Sequence, residues 1–244
     1  MELIIKNGKE FVDNFIGGLS KISDTGILKL ANKKFTCLTA TADNTIVINS
    51  EYTDSSIDER DTLTLNIPDF KKLHKLLSIL PDSFTLQINA NNIAYSSADT
   101  RFKYHLYEEG IISSPAINIT KISSIPFSCT FQTTVESIRG LMKSSFLLPD
   151  ITKVYFNFSD GVVQGEITDK SRHNVDSFSK LLSQSYGGDT ITASVPINIE
   201  ILRLLSSSSV NNINVEYSKD YSILLFEVVS PNLLTKYIVS GLIN

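Results

Sequence analysis

The chain has 244 residues, of which 42% are hydrophobic and 20% charged, enough for one large domain or two ordinary ones around an apolar core. A core of that size needs no disulfide or metal staple, and no apolar run approaches the roughly 20 residues of a membrane span. The formal net charge of −4 argues against a protein that is basic throughout, the usual pattern of a nucleic-acid binder.

From the N-terminus, Met1–Lys6 lacks the long apolar stretch and small-residue cleavage site of a signal peptide, so a cytoplasmic placement is expected. Gly8–Ile22 carries Phe11, Val12, Phe15, Ile16, Leu19 and Ile22 at helical spacing. Short strands follow at Gly26–Ala31, Phe35–Ala40, Thr45–Glu51 and Thr62–Ile67, separated by the turn pairs Asn32-Lys33, Asp43-Asn44 and Asp54-Ser55. Asp69–Leu80 reads as a second helix, with Asp69 as N-cap, Phe70, Leu73, Leu76, Leu77 and Leu80 on one stripe, and Pro81 as its stop. Phe84–Ala90 and Ile93–Ser97 flank Asn91-Asn92 as a hairpin. Arg101–Tyr107 alternates Phe102, Tyr104 and Leu106 with Arg101, Lys103 and His105, the period of a half-exposed strand.

Residues 109–126, with Gly110, Pro115 and Pro126, read as a connector without a core of its own. Beyond it, Thr133–Phe146 is helical by the spacing of Val135, Ile138, Leu141, Met142 and Phe146, capped by Thr133 or Thr134 and stopped by Pro149. Lys153–Ser159 and Val162–Ile167 bracket Asp160-Gly161, a strong type I′ hairpin signal. Strands are expected at Asn174–Ser179 and Thr190–Val195, a helix at Ile197–Ser206, and strands at Ile213–Tyr217, Ser222–Val229 and Thr235–Ser240. The order of elements in the first half recurs in the second. Leu65–Leu77 can be laid on Ala193–Leu205, so that Pro68 meets Pro196, Leu73 meets Ile201 and Lys75 meets Arg203. The expected class is α+β: two similar domains, 1–108 and 127–244, each with two helices packed on antiparallel sheets.

On Leu65–Leu77, Thr134–Lys143 and Ser123-Ser124-Ile125-Pro126-Phe127, the chain resembles the sliding clamps of T-even-type phages and, more distantly, the eukaryotic and archaeal clamps (PCNA). The likeness in architecture spans essentially the whole chain. It implies the DNA clamp fold and a homotrimeric ring whose inner helices surround duplex DNA without reading its sequence. It further implies a processivity factor in DNA replication that works with a DNA polymerase and a clamp loader and, in some phages, with late-transcription factors. No enzymatic activity, cofactor or membrane is implied.

The acidic total is compatible with such a ring if basic residues concentrate on the helices. Residues 7–22 are neutral by count, 69–80 carry +2, 133–146 carry +1 and 197–208 are neutral, against −4 for the chain. The cations that would face phosphates are Lys9, Lys21, Lys71, Lys72, Lys75, Arg139, Lys143 and Arg203. Lys72 and Lys75, three apart, share a helical face, as do Arg139 and Lys143, four apart. Phosphate contact supplies affinity without sequence information. Glu10, Asp13 and Glu200 on the same helices predict weak, salt-sensitive binding.

The resemblance also places the subunit contact between the last strand of the first domain and an edge strand of the next copy's second domain. By position these are Arg101, Lys103, His105, Tyr107 and Glu108 against Arg172, Asn174, Asp176 and Phe178. Run antiparallel, Arg101 and Lys103 fall near Asp176, and Glu108 near Arg172. An apolar groove beside the connector, which would take partner peptides, has Ile46, Ile112, Ile117, Ile119, Tyr237 and Val239 as candidates.

The chemical inventory gives no enzyme. Cys37 and Cys129 lie outside any metal-ligand spacing and read as buried thiols in a reducing compartment. The histidines, at 74, 105 and 173, are far apart in sequence. Gly17-Gly18 lies inside a helical pattern, not in a phosphate-cradling loop. Asp58–Asp61 reads as a solvated turn, and Ser206–Ser209 lacks the G-x-S-x-G context of a nucleophile. Asn118-Ile119-Thr120 is a glycosylation site only in a secreted chain. Two other readings compete with the clamp. A β-rich viral structural protein accords poorly with four regularly placed amphipathic helices. A monomeric DNA-binding processivity factor that stacks bases would expose aromatic rings, and the chain has no Trp.

Overall fold

The computed structural model describes residues 1–172 and 174–242. They form two compact units. One comprises Met1–Ala42, Ile48–Ile117 and Ser230–Thr235, and the other Asp43–Val47, Asn118–Val229 and Lys236–Asn244. The boundary between the units at 117–118 falls within residues 109–126.

The first unit begins with β1 (Glu2–Ile5) and helix α1, wound as a π-helix over Glu10–Ile16 and as an α-helix over Gly17–Ser20. Phe11, Val12, Phe15, Ile16 and Leu19 are all buried, as their spacing requires. The wider π turn keeps the same residues on one side, so an apolar period alone cannot separate it from an α-helix. β2 (Gly26–Ala31), β3 (Lys34–Ala40), β4 (Ile46–Thr53) and β5 (Leu63–Ile67) lie in the order β4-β3-β2-β5. The β2–β3 turn has Asn32 and Lys33 both at positive φ, 53° and 62°, the geometry of a type I′ hairpin. Helix α2 (Phe70–Leu77) follows, and Asp69 caps it by accepting from the Lys72 amide at 2.8 Å. β6 (Phe84–Asn89), β7 (Asn92–Ser96) and β8 (Arg101–His105) join β1 in a sheet of order β1-β6-β7-β8. At the hairpin tip Asn89 pairs with Asn92, so the turn is Ala90-Asn91, one residue earlier than the sequence suggests.

The core of this unit centres on an aromatic group. The Phe11 ring lies 5.1 Å from Tyr52 and 5.3 Å from Phe35, and Phe15 stacks on Tyr52 at 5.8 Å. Buried Tyr104 on β8 fixes the corner between β5 and α2. Its hydroxyl donates to the Asp69 carbonyl at 2.7 Å and accepts from the Asp69 amide at 2.9 Å.

The second unit opens with the short helix α3 (Ile119–Ser123), which the connector was not expected to contain. Asn118 starts it, its side chain accepting from the Thr120 and Lys121 amides at 2.9 and 3.3 Å. The Asn-Ile-Thr triplet is thus a helix cap. β9 (Cys129–Thr134) leads into α4 (Val135–Ser145), where Thr134 caps by accepting from the Ser137 amide at 3.1 Å. β10 (Lys153–Ser159) and β11 (Val162–Ile167) form the Asp160-Gly161 hairpin, with φ of 49° and 79° at the turn. They sit in a sheet of order β12-β11-β10-β14, with β12 at Phe178–Ser183 and β14 at Ala193–Asn198. β13 (Gly187–Gly188), β9, β15 (Asn212–Ser218), β16 (Ile223–Val229) and β17 (Leu233–Ser240) follow one another in a second sheet. Helix α5 (Glu200–Ser206) comes between β14 and β15. Phe158 stacks on Tyr217 at 4.9 Å and meets Phe131 edge-on at 5.9 Å in the core.

Two expected elements are displaced. The strand read at Asn174–Ser179 begins only at Phe178 and runs to Ser183. Upstream, Asp169 Oδ1 accepts from the Ser171 amide at 3.0 Å, and Asn174 takes φ of 58°, so Asx-turn chemistry replaces extended backbone. The helix read from Ile197 starts at Glu200, because Ile197 is still paired with Val154 in β14 and fully buried. Pro196 sits inside β14, an edge strand, where a missing amide is tolerated. Hence Pro68 stands two residues before α2 and Pro196 four before α5, still in a strand, and the two corners differ by about half a turn of helix.

Candidate nucleic-acid interface

In the first unit α1 and α2 pack against each other and α2 exposes Lys71, Lys72 and Lys75. Lys71 is paired with Asp24 at 2.8 Å, so its charge is partly neutralised within the chain. Lys72 and Lys75 have no ion-pair partner among the described residues. Lys9 and Lys21 are exposed at the two ends of α1. The acidic residues expected to oppose DNA are themselves engaged. Glu10 accepts from Ser230 Oγ at 2.6 Å and Asn232 Nδ2 at 2.7 Å. Asp13 lies 3.8 Å from His74 Nε2, and the His74 ring approaches because Gly17 has no Cβ.

In the second unit α4 packs on α5, and their cations divide by role. Arg139 donates from Nε to the Ser206 carbonyl at 2.9 Å and from Nη2 to the Ser208 carbonyl at 3.1 Å, closing the C-terminal end of α5. Arg203 is ion-paired with Glu200 on its own helix. Lys143 is exposed and, among the described residues, without an ion-pair partner. Of the eight cations singled out, then, Lys71, Arg139 and Arg203 have partners within the chain, and Lys21 is engaged as well. Lys9, Lys72, Lys75 and Lys143 present open charge. The pairing partner Asp24 and the caps Ser206 and Ser208 carried no signal in the sequence, because nothing in spacing reports a contact between distant segments.

The candidate edge residues fall on two strands. β8 is an outer strand of its sheet and exposes Arg101, Lys103 and His105, followed by exposed Tyr107 and Glu108. β12 is likewise an outer strand, beginning at Phe178 and exposing Leu181. Arg172, Asn174 and Asp176 precede β12 instead of lying in it, and Arg172 is already paired with Asp169 at 2.9 Å. Of the groove candidates, Ile112, Ile117 and Ile119 are half-buried. Ile46, Tyr237 and Val239 are at most 8% exposed and belong to the core, where they present no surface to a peptide.

Burial pushes the Cys37 thiol up to about 12 and, with Asp189 nearby, the Cys129 thiol up to about 11, so neither is a thiolate at neutral pH. His105 is exposed on β8, and His173 lies outside the described residues. A cavity of about 380 Å³ is lined by Asp150, Lys153, Tyr155, Thr168, Asp169 and Lys170. Lys170 there is tied to Glu166 at 3.0 Å and sits 4.2 Å over the Tyr155 ring. Among the described residues no group of three or more His, Cys, Asp or Glu could hold a metal ion, and no helix is long and apolar enough to cross a membrane.

Two units that each carry helices on antiparallel sheets, with cations on the helices, have the architecture of DNA clamps, and the chain has the DNA clamp fold. It superposes with TM-score 0.77 on a structure of the C-terminal region of FEN-1 bound to A. fulgidus PCNA, at 10% identity over 100% of this chain and 98% of the other. With the proliferating cell nuclear antigen of Entamoeba histolytica the TM-score is 0.76 at 12% identity, covering 99% and 98%. A putative DNA polymerase III beta subunit from Eubacterium rectale gives 0.75 at 12% identity, covering 99% of this chain but 65% of that longer one. No protein-family sequence model and no curated protein sequence matches the chain.

Proposed function

We propose that this chain is a sliding clamp of the T-even phage kind. Three copies close head to tail into a ring, duplex DNA threads the ring without base readout, and the ring tethers a DNA polymerase while doing no chemistry itself. The observation that carries this reading is the set of open cations, Lys72, Lys75 and Lys143, on the helices of a DNA clamp fold in a chain of net charge −4. A handful of phosphate contacts makes affinity weak and steeply salt-dependent. Enclosure, not tight binding, then keeps the protein on its template. Ring closure uses a heterologous contact, with β8 of one copy beside β12 of the next. Both strands are sheet edges whose backbone groups on one side need partners.

Polymerase and clamp loader reach the ring in the same reading through short peptides beside residues 109–126, where Ile112, Ile117 and Ile119 are half-buried. The A. fulgidus protein holding the C-terminal region of FEN-1 supports that mode. Late-transcription factors are a further partner class, and the host cytoplasm is the expected compartment.

Sedimentation equilibrium across concentrations tests the assembly. The expected species is three times the 27.0 kDa subunit, about 81 kDa. A strict monomer throughout would remove enclosure and leave a monomeric DNA-binding factor.

A further inference from the structure

Gly140 stands in the middle of α4, an 11-residue helix, where glycine weakens the helix relative to alanine. The space beside it explains the residue. An ideal Cβ at Gly140 would lie 2.8 Å from both Cε and Nζ of Lys180 and 3.0 Å from its Cδ. The side chain of Lys180 therefore runs across the bare step at Gly140, with its ammonium against the helix surface. The opposing strand is arranged in the same way. Gly165 is the register partner of Lys180, and the missing Cβ of Gly165 makes room for Leu141 of α4. Cross-strand partners share a face, so Lys180 points toward α4 and away from the outer side of its sheet.

Lys143 follows Gly140 by three residues and shares its helical face, so it lies on the side of α4 that the Lys180 ammonium reaches. Glu136 is one turn away on the other side, and no ion pair joins it to Lys180 among the described residues. Nothing in the sequence separates Lys180 from an ordinary strand lysine.

We infer that Lys180, seated on the bare helix step at Gly140, contacts DNA phosphate together with Lys143 and extends the cationic surface from α4 onto strand β12. This rests on the clamp reading and adds to it a strand residue and the glycine that positions it.

The test is binding of a fluorescent linear duplex to the full chain at several salt concentrations. Lys180→Ala should weaken affinity several-fold and reduce the slope of log K against log salt by about 0.9, the loss of one phosphate contact. Lys143→Ala should do the same, and Lys180→Arg should keep the slope. Gly140→Ala should also weaken binding while raising the thermal midpoint, and combining it with Lys180→Ala should add little. If Lys143→Ala lowers the slope and Lys180→Ala, folded to the same midpoint as the parent, does not, this inference is wrong and the clamp reading stands. Additive losses from Gly140→Ala and Lys180→Ala would overturn the seating. If Lys72→Ala, Lys143→Ala and Lys180→Ala all leave binding unchanged, the clamp reading falls and takes the inference with it.

Discussion

Arg139 and Lys143 sit one turn apart on the same helix, yet the geometry gives them different work. The Arg139 guanidinium donates to the carbonyls of Ser206, the last residue of α5, and of Ser208, two residues beyond it. A cation there also opposes the negative end of the helix dipole. Lys143 has no ion-pair partner among the described residues. Arg139→Ala should therefore cost about 1 kcal/mol of stability, below the ~1.5–3 kcal/mol of hydrogen bonds made by charged groups because the side chain is exposed. Arg139→Lys should restore little, since one ammonium cannot span two carbonyls held by a planar fork. Lys143→Ala should stay within about 0.5 kcal/mol of the parent and register only in the salt dependence of DNA binding. Urea unfolding of the three variants separates the roles. Equal destabilisation by Arg139→Ala and Lys143→Ala would remove the distinction.

Among the elements, those bounded by turn chemistry were legible from sequence. β2, β10 and β11 fall on the expected residues because Asn32-Lys33 and Asp160-Gly161 adopt the left-handed backbone that a two-residue hairpin needs. The expected start of β12 lies too early because Asp169 and Asn174 spend their side chains and backbone on turns. The start of α5 was likewise masked by an apolar pattern that strand and helix share around Ile197. On the candidate site, exposure of Lys72, Lys75 and Lys143 followed from helical spacing. The partners of Lys71, Glu10 and Arg139, and the seat of Lys180, depend on contacts between distant segments and were not readable. The corner between β5 and α2 shows how such a contact fixes an element. Burial raises the Tyr104 hydroxyl above its ordinary value, so it stays protonated and serves both the Asp69 amide and carbonyl. Tyr104→Phe keeps the ring but strands the Asp69 amide, while the Asp69 carbonyl still accepts from the Leu73 amide at 3.0 Å, and should cost about 1–3 kcal/mol with an unchanged urea m-value. A loss below about 0.5 kcal/mol would mean that water replaces the hydroxyl without penalty.

For the whole molecule, the question is what the open sheet edges are for. Natural edges are blunted by charge to prevent indiscriminate pairing. β8 fits that rule with Arg101, Lys103 and His105, whereas β12 leaves Leu181 44% exposed between half-buried Lys180 and buried Leu182. An exposed leucine on an unpaired edge suits an edge that is covered in the assembled protein, and the side chains of Leu181 and Lys180, alternating along the strand, point to opposite faces. In the proposed ring, one strand would serve self-association with the face of Leu181 and phosphate contact with the face of Lys180. Leu181→Asp should convert the expected 81 kDa species, three times 27.0 kDa, to monomer at micromolar concentration. The isolated subunit should melt as a monomeric parent would, because Leu181 contributes little to its own core. Lys180→Ala should leave the mass untouched while weakening DNA binding. Sedimentation of both variants reads the two faces separately. A trimer that survives Leu181→Asp would place the contact between copies elsewhere, and a trimer lost with Lys180→Ala would show that the inner face of β12 is part of the same contact.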